Sequence, residues 1–589
     1  MIVQELVALQ HEHGYLPDDA LQALAQRLSV PLYRLQEVAS FFPHFRRTPP
    51  AKVHVQICRD MSCHLRGAGE MLRQCGKQLS AGNGHEIHVE GVSCLGRCDR
   101  APAAMVNEQL FVERSADELC AIARKMAAEQ AVAPDSDAAL AVQQPKAKQA
   151  AGSPWEIDPY HGEPRYDAVR KYIADPDPAW VLAELKTGDL RGMGGAGAWA
   201  HQKWNDVWKA PGEEKYVVCN ADESEPGTFK DRELLLRTPY LIVEGVILAG
   251  LMFGARRGYI YIRHEYPEQI AAVNEAIRRA EAMNVCGQKL LGTSRDFPVE
   301  VFVSPGGYIC GEQSALIEAM QDHRAEPRNR PPQLETNGLW DKPTLLSNVE
   351  TFAWAPAITV NGGAWYAAGG ANGCKGMRFF SISGDVERPG AYEVPNGLTL
   401  GELINDYAGG MRGKRAMKAF AASGPSGGFL PTTIALRAPR DKKDLDRLTP
   451  WVRGLHEREL KSVALTDIPL DLQVYRELGL MLGAGMAVYA EGTDLLDQAQ
   501  RFMEFFRNES CGKCVPCRIG SQKLVEIGSG LLAGQLNSTQ WSATEALVKE
   551  LGRTMEITSI CGLGQVASNP LTSLVRYFPQ EISRRVQGQ

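Results

Sequence analysis

Eight cysteines carry most of the chemistry this sequence could do. Three lie within seven residues, as Cys511-Gly-Lys-Cys514-Val-Pro-Cys517, and a fourth, Cys561, follows 44 positions later in SICGLGQ. Four thiolates suit a [4Fe–4S] cluster, one per iron, with a single loop reaching three corners of the cubane. A four-cysteine zinc site is the rival, but zinc knuckles ordinarily pair two CxxC units, and here the ligands divide three plus one. The second set is Cys58-Arg-Asp-Met-Ser-Cys63 with Cys94-Leu-Gly-Arg-Cys98, two pairs separated by 30 residues. Each pair follows an expected strand, so two loops can face one another. That fits a [2Fe–2S] rhomb with two thiolates per iron and, on spacing alone, leaves zinc open. The other six of the 14 cysteines are scattered and read as small buried hydrophobes.

Three glycine-bearing polar segments form a further group. Arg191-Gly192-Met-Gly194-Gly195-Ala-Gly197 matches GxGxxG, a weak signal by itself. The stretch before it, AWVLAELKTGDL, is helical in pattern, which excludes a Rossmann fingerprint. The glycines can still bring backbone N–H groups to a phosphate at the next helix start, where Lys203 adds a cation. Asn220, Asp222, Glu223, Ser224 and Glu225 follow the expected strand KYVVC; taken alone, a solvated acidic turn explains them at least as well. Gly306-Gly307-Tyr308-Ile-Cys310-Gly311-Glu312 follows another strand, VEVFVS. Three such strand ends in one α/β domain suggest a cofactor crevice.

The elements that must position these residues fall into an α/β multidomain order. Residues 1–130 read as a helical start followed by a small unit with strands VHVQIC and IHVEGV, a hairpin at AAMVNEQLFV and a closing helix at 115–130. Residues 131–152, rich in Ala, Gln and Pro, read as a linker. A large α/β domain is expected over 153–375. Residues 376–470 read as a β-grasp-like unit with a charged excursion at 437–462. From 471 to 589 the expectation is a helical bundle interrupted by the cysteine loop.

Bulk composition narrows the class. The 589 residues are 44% hydrophobic and 23% charged, with a net charge of −6 and no basic block for nucleic acid. The N-terminus lacks the pattern of a signal peptide, and the most apolar run, Leu241 to Ala255, contains Glu244 and is too short to span a bilayer. The expectation is a cytoplasmic protein without direct membrane insertion.

The combination of RGxGGAG, NADESEPGTFKDR, GGYICGE, SNVET and ESCGKCxPCR resembles the 51-kDa flavoprotein of respiratory complex I. The N-terminal part, with CxxxxC and CLGRC, resembles its 24-kDa [2Fe–2S] partner, which has a thioredoxin-like fold. Similar fusions occur in diaphorase subunits of soluble NAD-linked hydrogenases and in β subunits of NAD-linked formate dehydrogenases. The resemblance implies FMN surrounded by Gly192, Gly194, Gly195, Gly197, Lys203, Asn220, Asp222, Glu223, Ser224, Tyr308, Gly311 and Asn348. It implies [2Fe–2S] on Cys58, Cys63, Cys94 and Cys98, and [4Fe–4S] on Cys511, Cys514, Cys517 and Cys561 in a helical bundle. Glu225 is the position nearest the nicotinamide, and residues 376–436 correspond to a β-grasp domain. The chemistry is exchange of electrons between NAD(H) and a large metal-containing catalytic subunit, since a flavin accepts an electron pair and passes on single electrons. A formate dehydrogenase α-like partner is favoured because both cysteine sets are complete.

The sequence departs from this family where the nucleotide should lie. Ala198, followed by Trp199, replaces an aromatic; Gln313-Ser314, Arg330, Gln333 and Ser347 replace other family residues. Stacking on adenine then falls to Trp199 or Trp204. The competing reading is an electron-wiring module that has lost nucleotide binding.

Overall fold

The computed structural model describes residues 1–80, 86–138 and 155–586. The small domain is a four-stranded sheet of β1 (Val53–Cys58), β2 (Ile87–Val92), β3 (Ala103–Val106) and β4 (Gln109–Val112), in the order β2-β1-β3-β4. In β1, Val53, Val55 and Ile57 alternate with His54 and Gln56, so one face enters the core and the other does not. The helices Ala68–Ser80 and Ala116–Ala127 cover the buried face, the second started by a capping box between Ser115 and Glu118. β1 and β2 run parallel with Cys58 opposite Val92. Parallel pairing delivers both cysteine loops to the same end of the sheet, which the spacing of the four residues requires.

The second sheet holds β5 (Tyr216–Ala221), β6 (Arg257–Arg263), β7 (Val299–Ser304) and β8 (Thr344–Asn348), all parallel, in the order β7-β6-β5-β8. β5 and β6 are buried almost continuously, as expected where helices cover both faces. The helix Pro239–Phe253 is buried along nearly its whole length and packs on the helix Val349–Asn361. The N-terminal helices Ile2–His13, Asp18–Leu28 and Leu32–Phe41 contribute their leucines to a core shared with this sheet. Val3 N–H also donates to Asp322 and the Gln4 amide to the Val303 carbonyl.

The linker expected over 131–152 is corrected at its start; from residue 139 it lies outside the described residues. Asp135 accepts from Val112 N–H and pairs with Arg114. Asp137 is buried, pairs with Arg97 at 2.6 Å and accepts from Gln269, while its own N–H donates to Glu268. This stretch is a strap that fastens the small domain to the helix Pro267–Ala282.

The third sheet contains β9 (Met377–Gly384), β10 (Gly390–Pro395), β11 (Met417–Pro425) and β12 (Leu430–Pro431). The charged excursion is framed by a two-stranded ribbon, β13 (Thr433–Ala435) with β14 (Ser462–Ala464). Within it the helix Pro450–Glu457 buries Val452 and Leu455, so the excursion is not wholly exposed. The helical reading after 471 is also corrected. Following the short helix Leu472–Glu477, β15 (Gly485–Ala490) enters the third sheet as its middle strand, between β9 and β11. Helices resume at Leu495–Glu509, Val515–Leu532 and Ser538–Thr558.

Two fully buried carboxyls hold the start of the large α/β domain. Glu244 accepts from the Tyr160 hydroxyl and from the Ala168 and Val169 N–H groups; Glu393 accepts from the N–H groups of Glu156 and Ile157. Burial pushes each up to about 8 from an ordinary 4.5. The folded state therefore holds protons that the unfolded chain has lost above pH ~4.5, so stability must fall as pH rises from there to ~8. Glu244→Gln keeps the acceptor and cannot ionise. Thermal unfolding at pH 6 and 8.5 should show a smaller loss of Tm in this variant than in the unmodified protein.

Candidate functional site

Cys58 ends β1, Cys63 lies in the short helix Met61–Leu65, and Cys94 and Cys98 flank a turn after β2. All four are buried free thiols whose sulfurs converge, with Cys94 and Cys98 3.7 Å apart and Cys58 within hydrogen-bonding reach of Cys63 and Cys94. Gly96 N–H donates to Cys94 Sγ at 3.4 Å. A second donor comes from the large domain: Gly227 N–H reaches Cys98 Sγ at 3.3 Å. Gly227 has φ +93°, and an added Cβ would sit 2.8 Å from Met61 Cε, so only glycine brings this peptide so close.

The crevice forms at the C-terminal ends of the parallel strands, where α/β sheets place their ligands. The glycine loop is closed at its base by Gly192 N–H to Ala198 O and by a bridge between Arg191 and Trp199, leaving Gly194, Gly195 and Ala196 exposed. A Cβ on Gly194 would lie 3.3 Å from Asn348, and one on Gly197 would strike Leu472. Gly195, at φ +110°, faces open space. Asn220 donates to the Gly311 carbonyl, and Asp222 accepts from Ser224 and Ser304. Asn348 bridges Lys230 and Asp231 and caps the helix Val349–Asn361. Lys203 donates to Gln313 and stands 3.8 Å from Glu335, with burial lowering its pKa. An open glycine tip, a helix start and a partly buried cation suit a phosphate, and the amide and carboxyl groups suit a polar ring edge. The residues present fit a flavin mononucleotide.

Acidic groups dominate the opposite wall. Burial raises Asp222 to about 6 and Glu223 to about 7; Glu223 caps the helix Lys230–Arg237 through the Asp231 and Arg232 N–H groups. Glu225 accepts from Ser426 N–H and, at 2.7 Å, from its hydroxyl. Tyr308 also bonds Glu225, and burial, opposed by these bonds, pushes that carboxyl up to about 7. Ser426 belongs to the turn after β11, so the third sheet supplies a wall of the crevice that sequence reasoning missed.

At the C-terminal set, Cys514 stands at the N-cap position of the helix Val515–Leu532, Cys517 lies in its first turn, and Cys561 stands at the N-cap position of the helix Gly562–Val566. An added Cβ on Gly564 would stand 2.9 Å from Cys517 Cβ, which shows how tightly the two helix starts meet. Two helix N-termini thus point at one four-thiol site, favouring an anionic group. Glu509, just upstream, accepts from Tyr308 N–H at 2.8 Å and bonds Ser93 beside Cys94. This residue joins the crevice to the N-terminal cysteine loop, lies two positions before Cys511, and was missed in the sequence.

The aromatic candidates separate cleanly. Trp204 is fully buried between Phe253 and Phe352. Trp199 is 39% exposed, with Arg191 over its ring and its N–H on Asp189. Of the substituted residues, Arg330 pairs with Glu312 and Gln313 accepts from Lys203.

Four family profiles match consecutive parts of the chain. These are a thioredoxin-like [2Fe–2S] ferredoxin over 1–127, the Nuo51 FMN-binding domain over 185–357, an SLBB domain over 379–430 and the NADH-ubiquinone oxidoreductase-F iron–sulfur binding region over 497–585. The NADP-reducing hydrogenase subunit HndC of Solidesulfovibrio fructosivorans is 35% identical over 437 residues, 74% of this chain and 82% of that one. An F-type subunit of the NADH-quinone oxidoreductase of Rhizobium meliloti is 34% identical over 433 residues, 73% of this chain and 94% of its own. A chain of a NAD+-reducing [NiFe]-hydrogenase in the H2-reduced state superposes with a TM-score of 0.80 at 29% identity, covering 99% of this chain and 92% of that one. The β-grasp-like unit is thus an SLBB domain, and the cysteine sets fall within regions matched by iron–sulfur rather than zinc profiles. The chain belongs to the family of F-type flavoproteins of NADH-quinone oxidoreductase, NADH dehydrogenase-type oxidoreductase subunits, here fused to a thioredoxin-like [2Fe–2S] domain.

Proposed function

We propose that this chain exchanges electrons between NAD(H) and a metal-containing catalytic partner subunit in the cytoplasm. The observation that carries the reading is that the crevice borders both cysteine sets. Gly227, two residues beyond Glu225, donates to Cys98, and Tyr308 donates to Glu509, two residues before Cys511. FMN, when bound, supplies the exchange between a hydride pair and single electrons. The backbone of Gly192, Gly194, Gly195 and Gly197, with Lys203, would hold its phosphate. Asn220, Asp222, Glu223, Ser224, Gly311 and Asn348 would fix the rest, and Tyr308 would close the side toward Glu509. Glu225, held by Ser426 and Tyr308, would orient the nicotinamide, and Trp199 would meet the adenine. Cys58, Cys63, Cys94 and Cys98 would carry [2Fe–2S]; Cys511, Cys514, Cys517 and Cys561 would carry [4Fe–4S].

The C-terminal set faces outward. Cys511 and Cys514 are partly exposed, and Val515, Ile519 and Ile557 nearby are 58%, 59% and 70% exposed, whereas the N-terminal set is enclosed. Large exposed apolar side chains at a redox centre suit partner docking. The complete cysteine sets support a formate dehydrogenase α-like partner; the 99% coverage by a NAD+-reducing [NiFe]-hydrogenase chain supports a hydrogenase partner. Molybdenum or tungsten in the copurified large subunit selects the first, nickel the second.

The purified protein should contain one FMN and six irons, and NADH should bleach its flavin absorbance. A flavin that stays oxidised under NADH would favour the wiring-module reading. Cys514→Ser should stop delivery to the partner while leaving NADH-to-dye activity largely intact, and Cys94→Ser should lower delivery only modestly; equal loss in both would place the clusters in series.

Ionisation of Glu225 adds negative charge beside an anionic dinucleotide. The KM for NADH should therefore rise severalfold between pH 6 and 8, and Glu225→Gln should flatten that rise, as initial rates across this range will show.

A further inference from the structure

The small sheet has chemistry away from its cysteine end. His54 on β1 lies directly opposite His88 on β2, and Glu90 follows two residues along the same strand face. His54 Nε2 is 2.9 Å from Glu90 Oε1, His88 Nε2 is 3.7 Å from Glu90 Oε2, and one ligand atom from each residue lies within 4.8 Å of the others. Ligands on a tetrahedral zinc ion at about 2.0–2.2 Å stand about 3.3–3.6 Å from one another. The triad therefore needs only a small adjustment, which exposed side chains permit: His88 is 59% and Glu90 41% exposed. Gln56 donates to Glu90 Oε1 at 3.1 Å and so orients the carboxylate.

We propose that His54, His88 and Glu90 bind a divalent transition-metal ion of the zinc class, with solvent in the fourth position. Two imidazoles and one carboxylate are a zinc-type donor set, and an open fourth position marks a site that exchanges with solution rather than a closed structural one. The site lies four residues along β1 from Cys58 and shares no ligand with either cysteine set.

One neighbour opposes the metal. Arg46 Nη2 lies 2.9 Å from His54 Nδ1. An arginine can only donate, so Nδ1 is the acceptor and the ring proton sits on Nε2, the atom the metal must take. Binding of the neutral imidazole at Nε2 requires the ring proton to move to Nδ1, which breaks the Arg46 contact. The arginine thus weakens the site.

Zinc chloride titrated calorimetrically into the anaerobic holoprotein should give saturable binding at one equivalent. His88→Ala and Glu90→Gln should weaken it by at least about tenfold, since even outer-sphere losses cost that much. Arg46→Gln, which replaces an obligate donor by a group that can accept Nδ1–H, should tighten it. Cobalt(II) should give intense visible d–d bands in unmodified protein that His88→Ala loses. Unchanged cluster absorbance in each variant establishes that the small domain is intact. Absence of saturable binding, identical isotherms for unmodified protein and His88→Ala, or weaker binding by Arg46→Gln would each overturn the proposal.

Discussion

A single buried guanidinium holds the redox regions of this molecule in register. Arg263 ends β6, is 3% exposed, and cannot shed its charge. Burying it is tolerable only if its donors are satisfied. They reach the Glu223 carbonyl at 2.6 Å, the Cys94 carbonyl at 2.8 Å and the Glu265 carboxylate at 2.7 Å. One planar fork therefore fixes the acidic wall of the crevice and the loop of the N-terminal cysteine set together. Arg232 repeats the device from the neighbouring helix, donating to the Gly96 carbonyl and pairing with Asp99 and Glu233. The strap adds a third case, with Arg97 on Asp137. Three arginines around one cysteine loop, each with an acidic partner, make the interface between the small and large domains specific in position, because any shift leaves a charge uncompensated.

The glycine and acidic segments are built on the same logic of close approach. Gly227 reaches Cys98 because it has no Cβ, and Glu225 stands beside it because Tyr308 of its own domain and Ser426 of the third-sheet domain hold the carboxyl. The crevice is thus not a property of the α/β domain alone. Its floor comes from the second sheet, one wall from the turn after β11, and its far side from the residue that precedes the C-terminal cysteines.

Much of this was legible in the residues. The two cysteine sets and the glycine loop announce themselves through spacing, β1 through alternation, and β5, β6 and β7 as short apolar runs rich in β-branched and aromatic residues between helical patterns. What escaped did so for physical reasons. The run GMAVYA of β15 is buried at every position, so it has no period of two to distinguish it from a helix. β8 is short and likewise buried except at its end. Residues 131–138 read as a linker from composition, but Asp135 and Asp137 find partners 21, 40 and 132 positions away, information that no local window contains. Arg263 and Glu509 looked like ordinary charges at the ends of a strand and a helix. Trp199 and Trp204 were equivalent as letters, and only packing around Phe253 and Phe352 took one of them out of consideration.

The position of β15 in the third sheet also bears on how the chain can be made. The sheet runs β10-β9-β15-β11-β12, so its middle strand is the last to leave the ribosome. Until Ala490 has emerged, β9 and β11 have no common neighbour, and their inner edges are exposed. The small domain and the parallel sheet can close during synthesis, because every strand of each precedes residue 350. The SLBB sheet must wait, and the cysteine bundle begins only five residues after β15 ends. The C-terminal cysteines are therefore translated only after β15, so their helices can close only once the third sheet is able to form.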